Sequence, residues 1–102
     1  MIKMMAIYKK PLNKDEFDNY YFNTHLPLAS KMPGLRRVEI DKIYGTPFGE
    51  TNYYMIANMY FDSKEDLNSA LSSPEGRACG KDLKNFTTDN VELVFSQVDS
   101  NN

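Results

Sequence analysis

The order of strand-like and helix-like segments in this chain is βαββαβ, which on four strands predicts the ferredoxin-like α+β arrangement: one antiparallel sheet with the helices on one face. Three observations carry that prediction. Ile2 to Lys9 and Asn52 to Asp62 are strand patterns apolar on both faces, as the two central strands of such a sheet require. Each is followed by a helical pattern opened by a good N-cap residue, Asn13 or Ser63. The remaining two strand patterns, around Val38 and Val91, alternate as edge strands do.

The first strand places Met4, Ala6 and Tyr8 on one face and Met5 and Ile7 on the other. Asn13, with Glu16 three residues on, forms a capping box, and Asp15 and Asp18 suit the positive end of the helix dipole. This helix is predicted to run to about Met32. Pro27 falls inside it and removes a backbone donor, so a kink or irregular turn is expected near Asn23, and Pro33-Gly34 ends the helix. Val38, Ile40 and Tyr44 alternate with Arg37, Glu39 and Asp41 in the second strand, and Gly45 to Glu50 supplies a turn. In the third strand Tyr53, Met55, Ala57, Met59 and Phe61 face one way and Tyr54, Ile56 and Tyr60 the other. Ser63 then caps a helix carrying Leu67, Ala70 and Leu71, and Ser73-Pro74 restarts one in which Gly76, Cys79, Leu83 and Phe86 share a face. Val91, Leu93 and Phe95 form the last strand. Residues 1–98 thus read as one domain, with 99–102 a polar tail.

In this fold the helices cover one face of the sheet, and the other, bearing Met5, Ile7 and alternate residues of the third strand, is left apolar and open. A second copy packed sheet to sheet is the simplest cover, giving a dimeric α/β barrel and a homodimer. A chain of 102 residues also gains from that extra burial.

Composition excludes several functions. A net charge of −2 offers no basic surface to nucleic acid, and no run approaches the ~18 apolar residues of a membrane span. The single cysteine, Cys79, forbids an intrachain disulfide, and Lys3, Lys9 and Lys10 stand where a signal peptide needs an apolar run, so a reducing, cytoplasmic home is expected. One histidine, one cysteine and no HExxH or CxxC spacing speak against a zinc site, and no GxGxxG or GxxxxGK[ST] run offers a phosphate loop. Any chemistry is expected to be free of metal and nucleotide cofactors.

What remains is His25. It lies four residues after Tyr21 and eight after Phe17, within a helical stripe that includes Tyr20, Thr24, Leu28 and Met32. Imidazole, with an ordinary pKa of ~6.5, is the side chain that most readily takes and gives a proton near neutral pH. A ring of this kind walled by aromatics suits acid/base work on a small flat or apolar ligand; a core histidine satisfied by a backbone carbonyl near Pro27 explains the same pattern, and the residues leave both readings open. The candidate catalytic residues are His25 and Tyr21, with Tyr8, Phe17, Leu28, Met32 and Phe86 as candidate ligand-binding residues. Asp82 follows small-residue turns and can orient a histidine, although spacing alone favours a solvated helix carboxylate. Cys79 has no histidine near it in sequence and reads as an inert buried thiol.

The run Phe17-x-x-Tyr20-Tyr21-x-x-x-His25-x-Pro27-Leu28, with Met32-Pro33-Gly34-Leu35 after it, resembles the signature helix of the EthD family. Ser73-Pro74-Glu75-Gly76-Arg77, then Asp82-Leu83 and Phe86, is similar to that family's second helical region, so the resemblance spans Ile2 to Val98. It implies a dimeric α/β barrel, and it matches His25 to the family's characteristic histidine and Phe17, Tyr21 and Pro27 to neighbouring motif positions. Tyr21 stands where many members have tryptophan, which implies a smaller pocket with an added hydroxyl. The family is named for a protein linked to fuel-ether degradation, and some members act in fungal polyketide-type pathways. The expectation is a small-molecule enzyme of EthD type that moves protons on an apolar or aromatic metabolite. The alternatives are an accessory protein that holds such a metabolite for a partner enzyme and, since barrels of this architecture include haem binders, haem ligation through His25.

Overall fold

The computed structural model describes residues 1–87 and 89–99; of the 99–102 tail only Asp99 is among them. The elements follow the predicted order: β1 (Ile2–Lys9), α1 (Lys14–Tyr20), α2 (Leu26–Ala29), β2 (Arg37–Lys42), β3 (Tyr53–Phe61), α3 (Lys64–Ser72), α4 (Pro74–Asp82) and β4 (Val91–Gln97). A π-helical turn, Tyr21–His25, joins α1 to α2, and a 3₁₀ turn, Leu83–Asn85, follows α4. The sheet order is β2-β3-β1-β4, every pair antiparallel, so the two strands apolar on both faces are the central ones. This is the ferredoxin-like α+β fold.

Local chemistry sets the boundaries. Asn13 Oδ1 accepts from Glu16 N–H at 3.0 Å, and Ser63 Oγ from Asp66 N–H at 3.1 Å, each satisfying an orphan donor of a first helical turn. The expected irregularity before Pro27 takes the form of the π turn: Leu26 N–H reaches back five residues to Tyr21 O. Proline lacks the donor that a regular ladder would use next, so the backbone absorbs one extra residue here. Regular helix ends at Ala29, earlier than Met32, and Gly34 at φ +79° completes the exit in a conformation that suits glycine. Ser73 both ends α3 and caps α4, its Oγ accepting from Gly76 N–H at 3.0 Å.

The core lies between sheet and helices in two lobes. One gathers Ile2, Met4, Met59, Phe61, Leu67 and Ala70 under α3 and α4. The other gathers Ala6, Tyr8, Met55 and Ala57 with Phe17 and Tyr21 under α1. Two assignments change. Tyr44 lies beyond β2 and is fully exposed, because the chain leaves the sheet after Lys42. Tyr54 does not share a face with Ile56: the register slips between Tyr8 and Lys9, and this bulge turns Tyr54 onto Phe17, 5.6 Å between ring centres, with its hydroxyl donating to Asp18 at 2.8 Å. The face away from the helices carries the paired residues Ile7 and Ile56, and Met5 and Val94, beside a polar network in which Tyr60 donates to Glu39 and Asn58 to Asp41. No helix among the described residues is long and apolar enough to cross a membrane.

Candidate functional site

His25 sits where the two core lobes meet, held there by the π turn and α4. Its ring is buried, 4 % exposed, 5.6 Å from Tyr21 and 4.7 Å from Phe86 between ring centres. Nδ1 lies 2.9 Å from Asp82 Oδ2, and on the opposite side Nε2 lies 3.7 Å from Cys79 Sγ. Asp82 is not the solvated helix carboxylate that spacing favoured; it is buried, 7 % exposed, because it ends α4 beneath α1. Its Oδ1 accepts from Tyr20 Oη at 2.6 Å and from Asn85 Nδ2 at 2.8 Å. Cys79 likewise has a histidine beside it in space, 54 positions away in the chain, although its burial keeps it a thiol.

Electrostatics assign protonation. Burial alone would raise the Asp82 pKa, but the bonds from Tyr20, Asn85 and His25 outweigh it and hold the carboxyl below the usual range. Burial lowers the His25 pKa below its ordinary value, opposed by the hydrogen bond and the charge of Asp82. At neutral pH the pair is therefore a carboxylate and a neutral imidazole, with Nδ1–H donating to Asp82 and the Nε2 lone pair turned the other way. Burial pushes the Cys79 thiol up to about 11 and lifts Tyr8 and Tyr21 far above the phenol range, so these three stay protonated and each keeps a proton to donate.

Nε2 faces a cavity of about 60 Å³ that Tyr8, Tyr21 and Met32 help to line, together with Cys79, Gly80 and Leu93. Of the other sequence candidates, Phe17 and Phe86 stand behind it, on a wider groove of about 580 Å³ between α1 and the segment after α4. Phe86 touches Tyr8, Phe17, Tyr20, Tyr21 and His25, and so closes the aromatic wall. Leu28 is half-buried and lines neither cavity. The cavity has room for a few waters and none for a porphyrin, so haem ligation through His25 does not fit this packing. Among the described residues no group of three or more histidine, cysteine or acidic side chains is placed to hold a metal ion.

A two-layer α+β domain whose helix–sheet interface buries a carboxylate–histidine pair next to a small apolar cavity is the class of protein defined so far. The EthD domain model matches residues 9–90, and the chain belongs to the EthD family. It is 29 % identical over 96 residues, 94 % of this chain and 93 % of the relative, to an uncharacterized 11.0 kDa protein of the thcB-thcC intergenic region of Rhodococcus erythropolis. Among solved structures it is similar to an ethyl tert-butyl ether d (EthD) family protein of Bacillus halodurans, with 41 % identity, TM-score 0.93 and coverage of 96 % of this chain and 98 % of the other. The fold alone is shared with the hydroxynitrile lyase of Passiflora edulis: 10 % identity, TM-score 0.76, 98 % and 94 % coverage. It is shared too with a dimeric, ferredoxin-like protein of unknown function from Bacteroides fragilis: 19 % identity, TM-score 0.64, 95 % of each chain.

Proposed function

We propose that this chain is a small-molecule enzyme of EthD type in which His25 transfers a proton on a small apolar or aromatic substrate. The observation that carries the reading is the polarity of the Asp82–His25 pair, which leaves a neutral, buried Nε2 facing an apolar cavity. Nε2 takes a proton from an acidified C–H or O–H of the ligand; the imidazolium keeps its Nδ1–H on Asp82, and the proton returns from Nε2 to another atom of the same ligand. Tyr21 and Tyr8, held protonated, orient the ligand's polar group or donate to an oxygen that gains charge. Met32 and the rings around Phe17 and Phe86 give the site its apolar walls.

The same EthD resemblance supports a homodimer through the open sheet face. Met5, Ile7, Ile56 and Val94 form a contiguous apolar patch there, which a second copy would cover.

The test is a panel of small carbonyl and aromatic compounds assayed for turnover with the wild type and with His25→Gln. Turnover of a panel member that His25→Gln abolishes, with its affinity kept, is the expected result. Binding without turnover for every panel member, unchanged in His25→Gln, replaces the enzyme reading with the accessory protein that only holds a metabolite.

A further inference from the structure

The cavity at Nε2, about 60 Å³, is too small for an organic substrate; ligand pockets usually hold roughly 300 Å³ or more. Substrate must therefore continue out of it on one side. The wide groove lies on the wrong side of the ring: it is lined by Phe86 and by Tyr20 and Asn85, the two groups that hold Asp82, the partner of Nδ1. Nε2 looks the other way, toward Cys79 and the seam between α4 and β4.

That seam is open. Leu93 and Phe95 pair with Ala6 and Met4, so they point to the helix side of the sheet, yet they are 50 % and 60 % exposed because no helix covers β4. Gly80 stands opposite on α4, and a Cβ placed there would meet nothing within 4 Å. Further along β4, where α3 stands beside it, lies a separate slot of about 410 Å³ lined by Ile2, Leu67 and Phe95 and by the polar Lys64, Asn68, Ser96 and Gln97. The two spaces are lined by neighbouring residues on three elements. Met4 is followed by Ile2 on one face of β1, Leu71 by Leu67 one turn away on α3, and Leu93 by Phe95 on β4. The walls are apolar until the far end, where Lys64, which forms no ion pair among the described residues, stands with Asn68 and Gln97. From Leu93 to Gln97 the strand spans about 14 Å, a length that an extended chain of about ten carbons fills.

We propose that the two spaces join in one channel, that the substrate enters between α4 and β4, past Gly80 and Leu93, and that it is a slender, largely apolar molecule with a terminal carboxylate that Lys64 receives. The proposal rests on His25 as the working end of the site, and it names the ligand class for it. The carboxylate stays in water at Lys64, while the apolar chain covers Leu67, Phe95 and Leu93 and brings the acidified C–H or O–H at its far end to Nε2. Because these residues lie on the helix side, covering the opposite sheet face with a second copy leaves the slot open.

The experiment uses decanoate as the probe and follows the full-length protein by two-dimensional NMR. Decanoate is expected to shift the Leu93 methyls, the Phe95 ring and the His25 imidazole, and to leave Asn13 and Asn90 in the wide groove unmoved. Leu93→Trp and Gly80→Leu, both at sites with free space and checked for unchanged melting temperature, are each expected to weaken decanoate at least tenfold. Lys64→Glu is expected to weaken decanoate and not decanol. His25→Gln should bind decanoate as the wild type does, so loss of the proton-transfer reading leaves this result standing. Shifts centred on Asn13 and Asn90, equal affinity in Leu93→Trp and Gly80→Leu, or no binding at millimolar decanoate each overturn the proposal.

Discussion

Asp82 does more for the site than its place in the chain suggests, because three donors converge on one buried carboxylate and fix which nitrogen of His25 carries the proton. Asp82→Asn keeps the shape and removes the charge, so it is expected to cost about 1–3 kcal/mol of stability by weakening charge-assisted bonds. It also removes a group that raises the His25 pKa, so the imidazole should titrate at still lower pH, a shift that NMR of the ring protons reads directly. Folding stability should follow pH with a defined sign. The His25 pKa is lower in the folded protein, so the unfolded chain takes up the proton first: stability is full above pH ~6.5 and falls as pH drops toward the folded value, then levels off. Asp82, also held low, loses its contribution only further down, as pH falls through its folded value. Melting curves between about pH 7 and pH 5 should therefore slope in the wild type and flatten in His25→Gln. A parallel slope in both proteins would contradict the buried neutral imidazole.

Two elements give the site its geometry, and each depends on a backbone exception. The π turn ending at His25 exists because Pro27 withholds a donor, and it seats the ring against α4 instead of against the sheet. The junction of α3 and α4 depends on Gly76, where an added Cβ would lie 2.0 Å from Ala70 O. That oxygen is backbone and cannot step aside, so Gly76→Ala must push α4 away from α3. The expected loss is about 3 kcal/mol, the upper part of the usual overpacking range, seen as a lower urea midpoint. Because α4 carries both Cys79 and Asp82, the His25 ring resonances should broaden or shift in the same variant. Gly80, one turn on, faces open space, and substitution there should leave the midpoint at or above that of the wild type.

For the whole molecule, the decisive feature is a sheet covered on one face and open on the other, in a body whose principal extents are 37 × 37 × 20 Å. The proposed dimer buries that face. Ile56→Lys and Val94→Lys place charges on the two flanks of the apolar patch and should shift the mass measured by light scattering at micromolar concentration from dimer to monomer. A dimer mass in both variants would move the interface elsewhere.

The alternation of apolar residues and the helix caps determined the element order, the central position of β1 and β3 and the irregularity before Pro27, since those follow from local stereochemistry and from which strands need cover on both sides. His25 stands out in the sequence as a candidate, the lone imidazole on an aromatic stripe. Its partners do not. Asp82 and Cys79 lie 57 and 54 positions away, and no periodicity on α4 distinguishes a carboxylate that meets a histidine from one that meets water. Nor does alternation reveal a bulge, so it places Tyr54 on the face of Ile56, and only the register of β1 against β3 turns it to the other. Tertiary packing alone decided that β4 would be left uncovered on the helix side, because the reach of α4 across the sheet depends on how closely Gly76 lets it approach α3. Patterns within a segment record what that segment must bury; which buried groups then meet is settled only when the segments pack.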